Sequence, residues 1–172
     1  MLSDVLIEDI FEVKMSTKSM LVKSMLIALW PTAVLLTILV PIGVIMFLVA
    51  ALLWFFVTPL LNLEYEYSYL NGELSIDKIF NKSRRKKWVV YDLKSAELVA
   101  PADSDSIKRH LHGKKISDYS SGFEPDSEKV GIVLKGHMGA EIILLKKNYR
   151  LINAIRDMKP MIVEYSQDEI VE

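Results

Sequence analysis

The sequence contains no cysteine. Disulfide frameworks, thiolate zinc sites and thiol nucleophiles are therefore excluded. Glycine (7) and proline (6) are scarce, so neither a collagen-like nor a low-complexity chain fits. No excess of basic charge exists either. The formal net charge is -1, which argues against a nucleic-acid binder held by bulk electrostatics. Another absence concerns position. Between Ser24 and Leu63, over 40 residues, there is no charged side chain.

That uncharged run dominates the 172-residue chain and concentrates much of its 51% hydrophobic content. One crossing of a ~30 Å hydrocarbon core takes about 20 apolar residues. The run therefore predicts two spans, 21–40 and 43–61, reversed at Pro41 and Gly43, residues suited to a tight turn. A single kinked helix of that length would extend ~60 Å, about twice the core. A core helix of a soluble domain would carry a polar face, and none is visible here. The late start, the length and the lack of a small-residue cleavage site argue against a signal peptide. Trp30 and Trp54 fit either a membrane interface or packing within the spans.

Lys14, Lys18 and Lys23 precede the run, and Lys78, Lys82, Arg84, Arg85, Lys86 and Lys87 follow it. The reversal carries no Lys or Arg. The positive-inside rule then places both termini in the cytoplasm of a plasma-membrane protein, as a hairpin requires. No ionisable residue lies in the run from Ser24 to Leu63, which argues against an ion carrier acting alone.

Ahead of the run, residues 2–16 predict an amphipathic helix capped by Ser3. Asp4, Glu8 and Glu12 form an acidic stripe, and Leu6, Ile10 and Val13 an apolar one widened by Ile7 and Phe11. Such a helix packs on its own domain or the bilayer edge, or docks a partner protein. The expected organisation is an N-terminal segment (1–20), a helical hairpin (21–62), a β-rich domain (63–160) and an acidic, fraying tail (161–172).

The β-rich domain opens on strict alternation, with Leu63, Tyr65, Tyr67 and Tyr69 on one face. Asn71-Gly72 is a type I′ hairpin turn, and alternation resumes through Leu74 and Ile76, with a shift before Ile79 and Phe80. A basic turn follows over residues 81–86. Trp88-Val89-Val90-Tyr91 and Ala96-Glu97-Leu98-Val99 are the next strands. Ser106 predicts the cap of a short helix reaching Leu111, and Ile116 marks a short strand in a polar excursion. A second hairpin (130–134 and 140–145) surrounds Gly136-His137-Met138-Gly139. A helix beginning at Asn148 carries Leu151, Ile152, Ile155 and Met158 on one face, with Pro160 past its end.

This order resembles bacterial pleckstrin-homology-like (PH-like) domains attached to membrane hairpins, and a group of small membrane proteins of Gram-positive anaerobes. The match runs through Tyr65-Glu66-Tyr67, Asn71 to Ile76 and Asn81 to Asp92. It departs where Val90-Tyr91-Asp92-Leu93 replaces the usual Ile-Pro-Leu and residues 101–127 are inserted. The resemblance implies an α+β fold, a bent antiparallel sheet of six or seven strands closed by a C-terminal helix. It implies no activity.

Lys82, Arg84, Arg85, Lys86 and Lys87 form the strongest constellation. A juxtamembrane cluster of four to eight basic residues reads as a contact with anionic lipid head groups, each residue worth about 1 kcal/mol near the surface. A solvated turn that only sets topology is the competing reading. No defined pocket for a particular head group can be read. His110 and His112 lie two apart, too close in sequence to face one another on a helix, so with Asp103 and Asp105 they read as solvated side chains, not a metal site. His137 reads as exposed, and its glycine-flanked turn lacks the features of a phosphate loop. Asn81-Lys82-Ser83 matches a glycosylation acceptor by chance in a cytosolic domain. No nucleophile elbow occurs.

The sequence thus points to a membrane-anchored interaction module without catalytic residues, cofactor or metal, binding a protein partner or the anionic bilayer surface. An accessory subunit of a transporter or other membrane complex is the alternative. An enzyme acting on lipids or envelope precursors has only location in its favour.

Overall fold

A computed structural model describes residues 6–40, 43–111, 114–136 and 139–165. The chain divides into two compact units. One holds Met1–Phe11, Tyr65–Lys78 and Lys86–Glu172; the other holds Glu12–Glu64 and Ile79–Arg85.

The second unit is built on two helices, α1 (Thr17–Leu39) and α2 (Gly43–Leu61). Both are long and apolar enough to cross a membrane, and only 11% and 6% of their most apolar stretches are buried. Core helices of soluble domains bury far more. The buried residues are Leu26 and Ala33 on α1, and Gly43 and Ala50 on α2. Gly43 is obligatory in size, because a Cβ there would lie 2.3 Å from the Leu36 carbonyl carbon. Trp30 packs edge-on against Phe47 and Trp54, at 5.3 and 6.3 Å between ring centres, so it serves interhelical packing. The hydroxyls of Ser24, Thr32 and Thr37 donate to carbonyls of their own helix, which satisfies them without water. Pro41, expected at the reversal, lies outside the described residues.

The expected N-terminal helix is not formed by the described residues. Residues Ile7–Glu12 are a strand, β1. Ile7 and Phe11 are buried while Leu6 and Ile10 remain more than half exposed. The burial follows a period of two, and a β-branched, aromatic segment of six residues gains more from an adjacent strand than from an isolated helix too short to be stable. Ser3, the expected cap, lies outside the described residues.

β1 joins β2 (Leu63–Leu70), β3 (Glu73–Phe80) and β4 (Arg84–Asp92) in a sheet of order β1-β2-β3-β4. The Asn71-Gly72 turn has both residues at positive φ, 51° and 92°, as a type I′ hairpin requires. A two-residue connection between paired strands makes β2 and β3 antiparallel. Tyr65, Tyr67 and Tyr69 are buried as the alternation predicts. Glu66, on the other face, is buried as well.

The second sheet has the order β5-β7-β8-β6, from β5 (Ala96–Pro101), β6 (Lys115–Asp118), β7 (Lys129–Gly136) and β8 (Gly139–Lys146). β7 and β8 form the expected antiparallel hairpin, β5 pairs antiparallel with β7, and β6 runs parallel to β8. Residues 101–127 therefore contribute a real sheet strand and the helix α3 (Asp105–His110). α3 is capped by Ser104, whose Oγ accepts from the Ile107 N–H, and not by Ser106. Ser104 has the extended backbone a cap needs, whereas Ser106 is already helical. Ile107 packs on Leu98, Ala100, Val133 and Ile142.

α4 (Tyr149–Met158) is capped by Asn148 and buries Leu151, Ile152 and Ile155. The segment after it is not frayed where it is described. Val163 bridges Val99 in parallel, the Glu164 N–H donates to the Val99 carbonyl, and Tyr165 is buried. The fold is α+β: two apolar helices, two four-stranded sheets and a C-terminal helix. Among the described residues, seven of the eight strands follow the apolar helices.

Candidate functional site

The basic segment divides into two parts. Asn81 and Lys82 are the left-handed centre of a tight turn, with φ of 50° and 55°, closed by the Ser83 N–H donating to the Phe80 carbonyl at 3.2 Å. This is type I′ geometry, usually taken by Asn-Gly; a lysine there bears a steric cost. Arg84, Arg85, Lys86 and Lys87, expected in the turn, lie on β4 instead. The β-formers from Trp88 to Tyr91 continue pairing back through them. As β4 is a terminal strand of its sheet, charge is tolerated and blocks edge-to-edge association.

The turn is fastened to the ends of the helical hairpin. The Asn81 N–H donates to the Asn62 carbonyl at 2.9 Å, one residue beyond α2. The Val13 N–H donates to the Leu63 carbonyl at 2.9 Å. The Lys82 ammonium lies 3.1 Å from Glu12 and 3.7 Å from Glu64. Its pKa is held up chiefly by the hydrogen bond and charge of Glu12, with Glu64 adding to it. Together these residues enclose a cleft of about 270 Å³, lined also by Met15 and Leu63.

Further along β4, Arg84 to Trp88 are exposed. The Lys78 ammonium sits 3.3 Å from the centre of the Trp88 ring and 5.8 Å from that of Tyr65, a cation–π arrangement. Burial, then repulsion by Lys86, pulls the Lys78 pKa down. The cleft thus gathers Glu12, Glu64 and Asn62 beside Lys82. Asn62, Asn81 and Lys82 could have been found from the turn pattern. Glu12 could not, because a helical reading of 2–16 turned it elsewhere.

The remaining candidates are scattered. His110 Nδ1 lies 2.8 Å from the Ser106 carbonyl of its own helix. His112 and His137 lie outside the described residues. Among the described residues no group of three or more His, Asp or Glu could hold a metal ion.

A second polar cluster joins β2 and β4 to β6 and β8. The Tyr67 hydroxyl donates to the Tyr119 carbonyl at 2.7 Å and accepts from the Lys146 N–H at 3.3 Å. The Tyr91 and Tyr119 hydroxyls share a hydrogen bond at 3.0 Å. Glu141 accepts from Ser117 at 2.8 Å and lies 2.9 Å from the Lys115 ammonium. Burial works against the Glu141 charge, but the bonds from Lys115 and Ser117 outweigh it and hold the pKa below the usual range. Burial, then Tyr119, pushes the Tyr91 pKa far up. These groups are mutually satisfied, and they fasten the sheets together.

Two small sheets and a C-terminal helix fit a PH-like domain, a class whose members are typically interaction modules. The chain matches the family model "Bacterial PH-like domain (DUF6106)" over residues 3–164 and belongs to that family. No curated protein and no solved structure matches it.

Proposed function

We propose that the protein is a membrane-anchored interaction module whose basic corner, Lys82, Arg84, Arg85, Lys86 and Lys87, rests against anionic lipid head groups at the cytoplasmic face of the cell membrane. The hydrogen bond from Asn81 to Asn62 carries this reading. If α1 and α2 span the bilayer, the end of α2 lies at its surface, and the turn bonded to that end lies there too. The low burial of both helices supports the span. Pairing of β1, which precedes them, with β2, which follows them, supports a hairpin with both ends on one side. The lysines and arginines flanking it favour the cytoplasmic side.

The test uses the full chain in detergent, with bound short-chain lipids counted by native mass spectrometry. The reading expects phosphatidylglycerol to be held over phosphatidylcholine. It also expects a variant with Arg84, Arg85, Lys86 and Lys87 changed to Gln to lose that preference, each charge contributing about fivefold. Equal binding of both lipids by the native chain overturns it.

An accessory role beside a polytopic partner is the second reading. It is favoured by large apolar side chains on α2 that face outward, Phe55 at 72% and Phe56 at 65% exposure. Stoichiometric co-purification with such a partner in mild detergent is its test.

A further inference from the structure

β4 presents two large apolar side chains to solvent. Trp88 is 49% and Val90 56% exposed. They alternate with half-buried Val89 and buried Tyr91, so both turn away from the core. The Lys78 ammonium lies over the Trp88 ring, 3.3 Å from its centre. Lys78 is itself half-buried, and Lys86 stands close enough to repel it. Among the described residues neither lysine has an ion-pair partner. Two ammonium groups held together without a carboxylate favour an anion that touches both. The exposed indole adds a second condition. Its apolar body gains from leaving water while its N–H still needs a polar partner. A bilayer–water interface meets both conditions, with phosphates for the lysines and the boundary of the acyl chains for the ring. An acidic peptide would also satisfy the lysines. A chain anchored in a bilayer, however, has head groups constantly within reach, at high effective concentration.

We propose that this corner of β3 and β4 is a membrane-contact surface, in which Trp88 and Val90 enter the interface of an anionic bilayer and a lipid phosphate lies between Lys78 and Lys86. The inference rests on the membrane-anchored reading above and deepens it. It adds Lys78, Trp88 and Val90 to the contact and gives the contact a depth.

The chain has no cysteine, so Val90→Cys gives the full chain a single attachment point for a nitroxide. The labelled chain is placed in nanodiscs of phosphatidylcholine mixed with phosphatidylglycerol, and in discs of phosphatidylcholine alone. Electron paramagnetic resonance reads collisions with oxygen, which enriches in lipid, and with a nickel chelate, which stays in water. Met161→Cys, at a position 95% exposed, is the reference for water. With phosphatidylglycerol present, the Val90 label is expected to favour oxygen over the chelate more than the Met161 label does. In phosphatidylcholine alone it is expected to lose that advantage. Equal ratios at the two positions in the mixed discs overturn the proposal. An advantage unchanged in phosphatidylcholine alone overturns the phosphate between the lysines. Lys78→Gln is expected to weaken phosphatidylglycerol binding, counted by native mass spectrometry, about fivefold, the worth of one charge near the surface. Unchanged binding by the folded variant overturns the part given to Lys78. Should this variant fail to fold, the label at Val90 decides alone. The basic-corner reading fails on lipid counting with the native chain, and this inference on the depth of the label, so the two fail separately.

Discussion

The N–H of Asn81 and the carbonyl of Asn62, 19 residues apart in sequence, are joined at 2.9 Å. Through this bond the turn between β3 and β4 is fixed to the end of α2, and Lys82 is held where it reaches both Glu12 and Glu64.

Lys82 occupies a left-handed position that glycine takes without strain. Lys82→Gly is expected to raise the melting temperature of the full chain by a few degrees while weakening phosphatidylglycerol retention. A fall in both would mean that the ion pairs of Lys82 outweigh its backbone strain.

Tyr67→Phe removes a hydroxyl that serves the Tyr119 carbonyl and the Lys146 N–H at once. Leaving both without that partner in a buried setting is expected to cost about 1–3 kcal/mol. Denaturant unfolding followed by far-UV circular dichroism measures it, and a neutral result would show that water replaces the hydroxyl.

Stability should fall in alkali. Burial raises the pKa of Tyr65, Tyr67, Tyr69 and Tyr91 in the folded protein, while the unfolded chain ionises near the ordinary tyrosine value of about 10. Above that pH the folded state binds more protons than the unfolded one, so unfolding becomes easier as pH rises. The contribution is fully present below pH ~10 and is lost progressively above it. Melting temperatures from pH 8 to 11 should show the decline, and Tyr91→Phe should make it shallower.

Gly131 on β7 faces Ile107 of α3 so closely that a Cβ would lie 2.8 Å from Ile107 Cδ1. Gly131→Val is expected to overpack this contact at a cost of about 1–3 kcal/mol. Ile107→Val in the same chain should recover part of it, which a double-mutant cycle would read as coupling.

Features set by local periodicity were legible in the sequence. The apolar helices, the Asn71-Gly72 turn, the β7–β8 hairpin and the apolar face of α4 each depend on residues close in sequence. What escaped depends on distant partners. Ile7 and Phe11 satisfy a helical stripe and a strand equally well over six residues, and the neighbouring β2, beyond about 50 intervening residues, decides between them. Arg84 to Lys87 look like a turn because nothing in their composition shows that β3 lies alongside. The cleft depends on Glu12, Glu64 and Lys82, which no motif links. Its basic half was legible as a cluster, and its acidic half only once the strands were paired.

β1 and β2 are neighbours in one sheet although both apolar helices lie between them in sequence. The two apolar helices are therefore inserted between strands of one sheet. A fragment beginning at Leu63 would lack a strand, open one side of β2 and strip Tyr65 and Tyr67 of their edge-on contacts with Phe11, a recipe for aggregation. Excising the helices and joining Val13 to Asn62 by a short glycine–serine link should instead give a water-soluble domain, because the Val13 N–H and Leu63 carbonyl already meet at 2.9 Å. Replacing a loop of about 50 residues by about six would also lower the closure entropy by about 2 kcal/mol. During synthesis the first strand must wait, without its neighbour β2, until both apolar helices have been made.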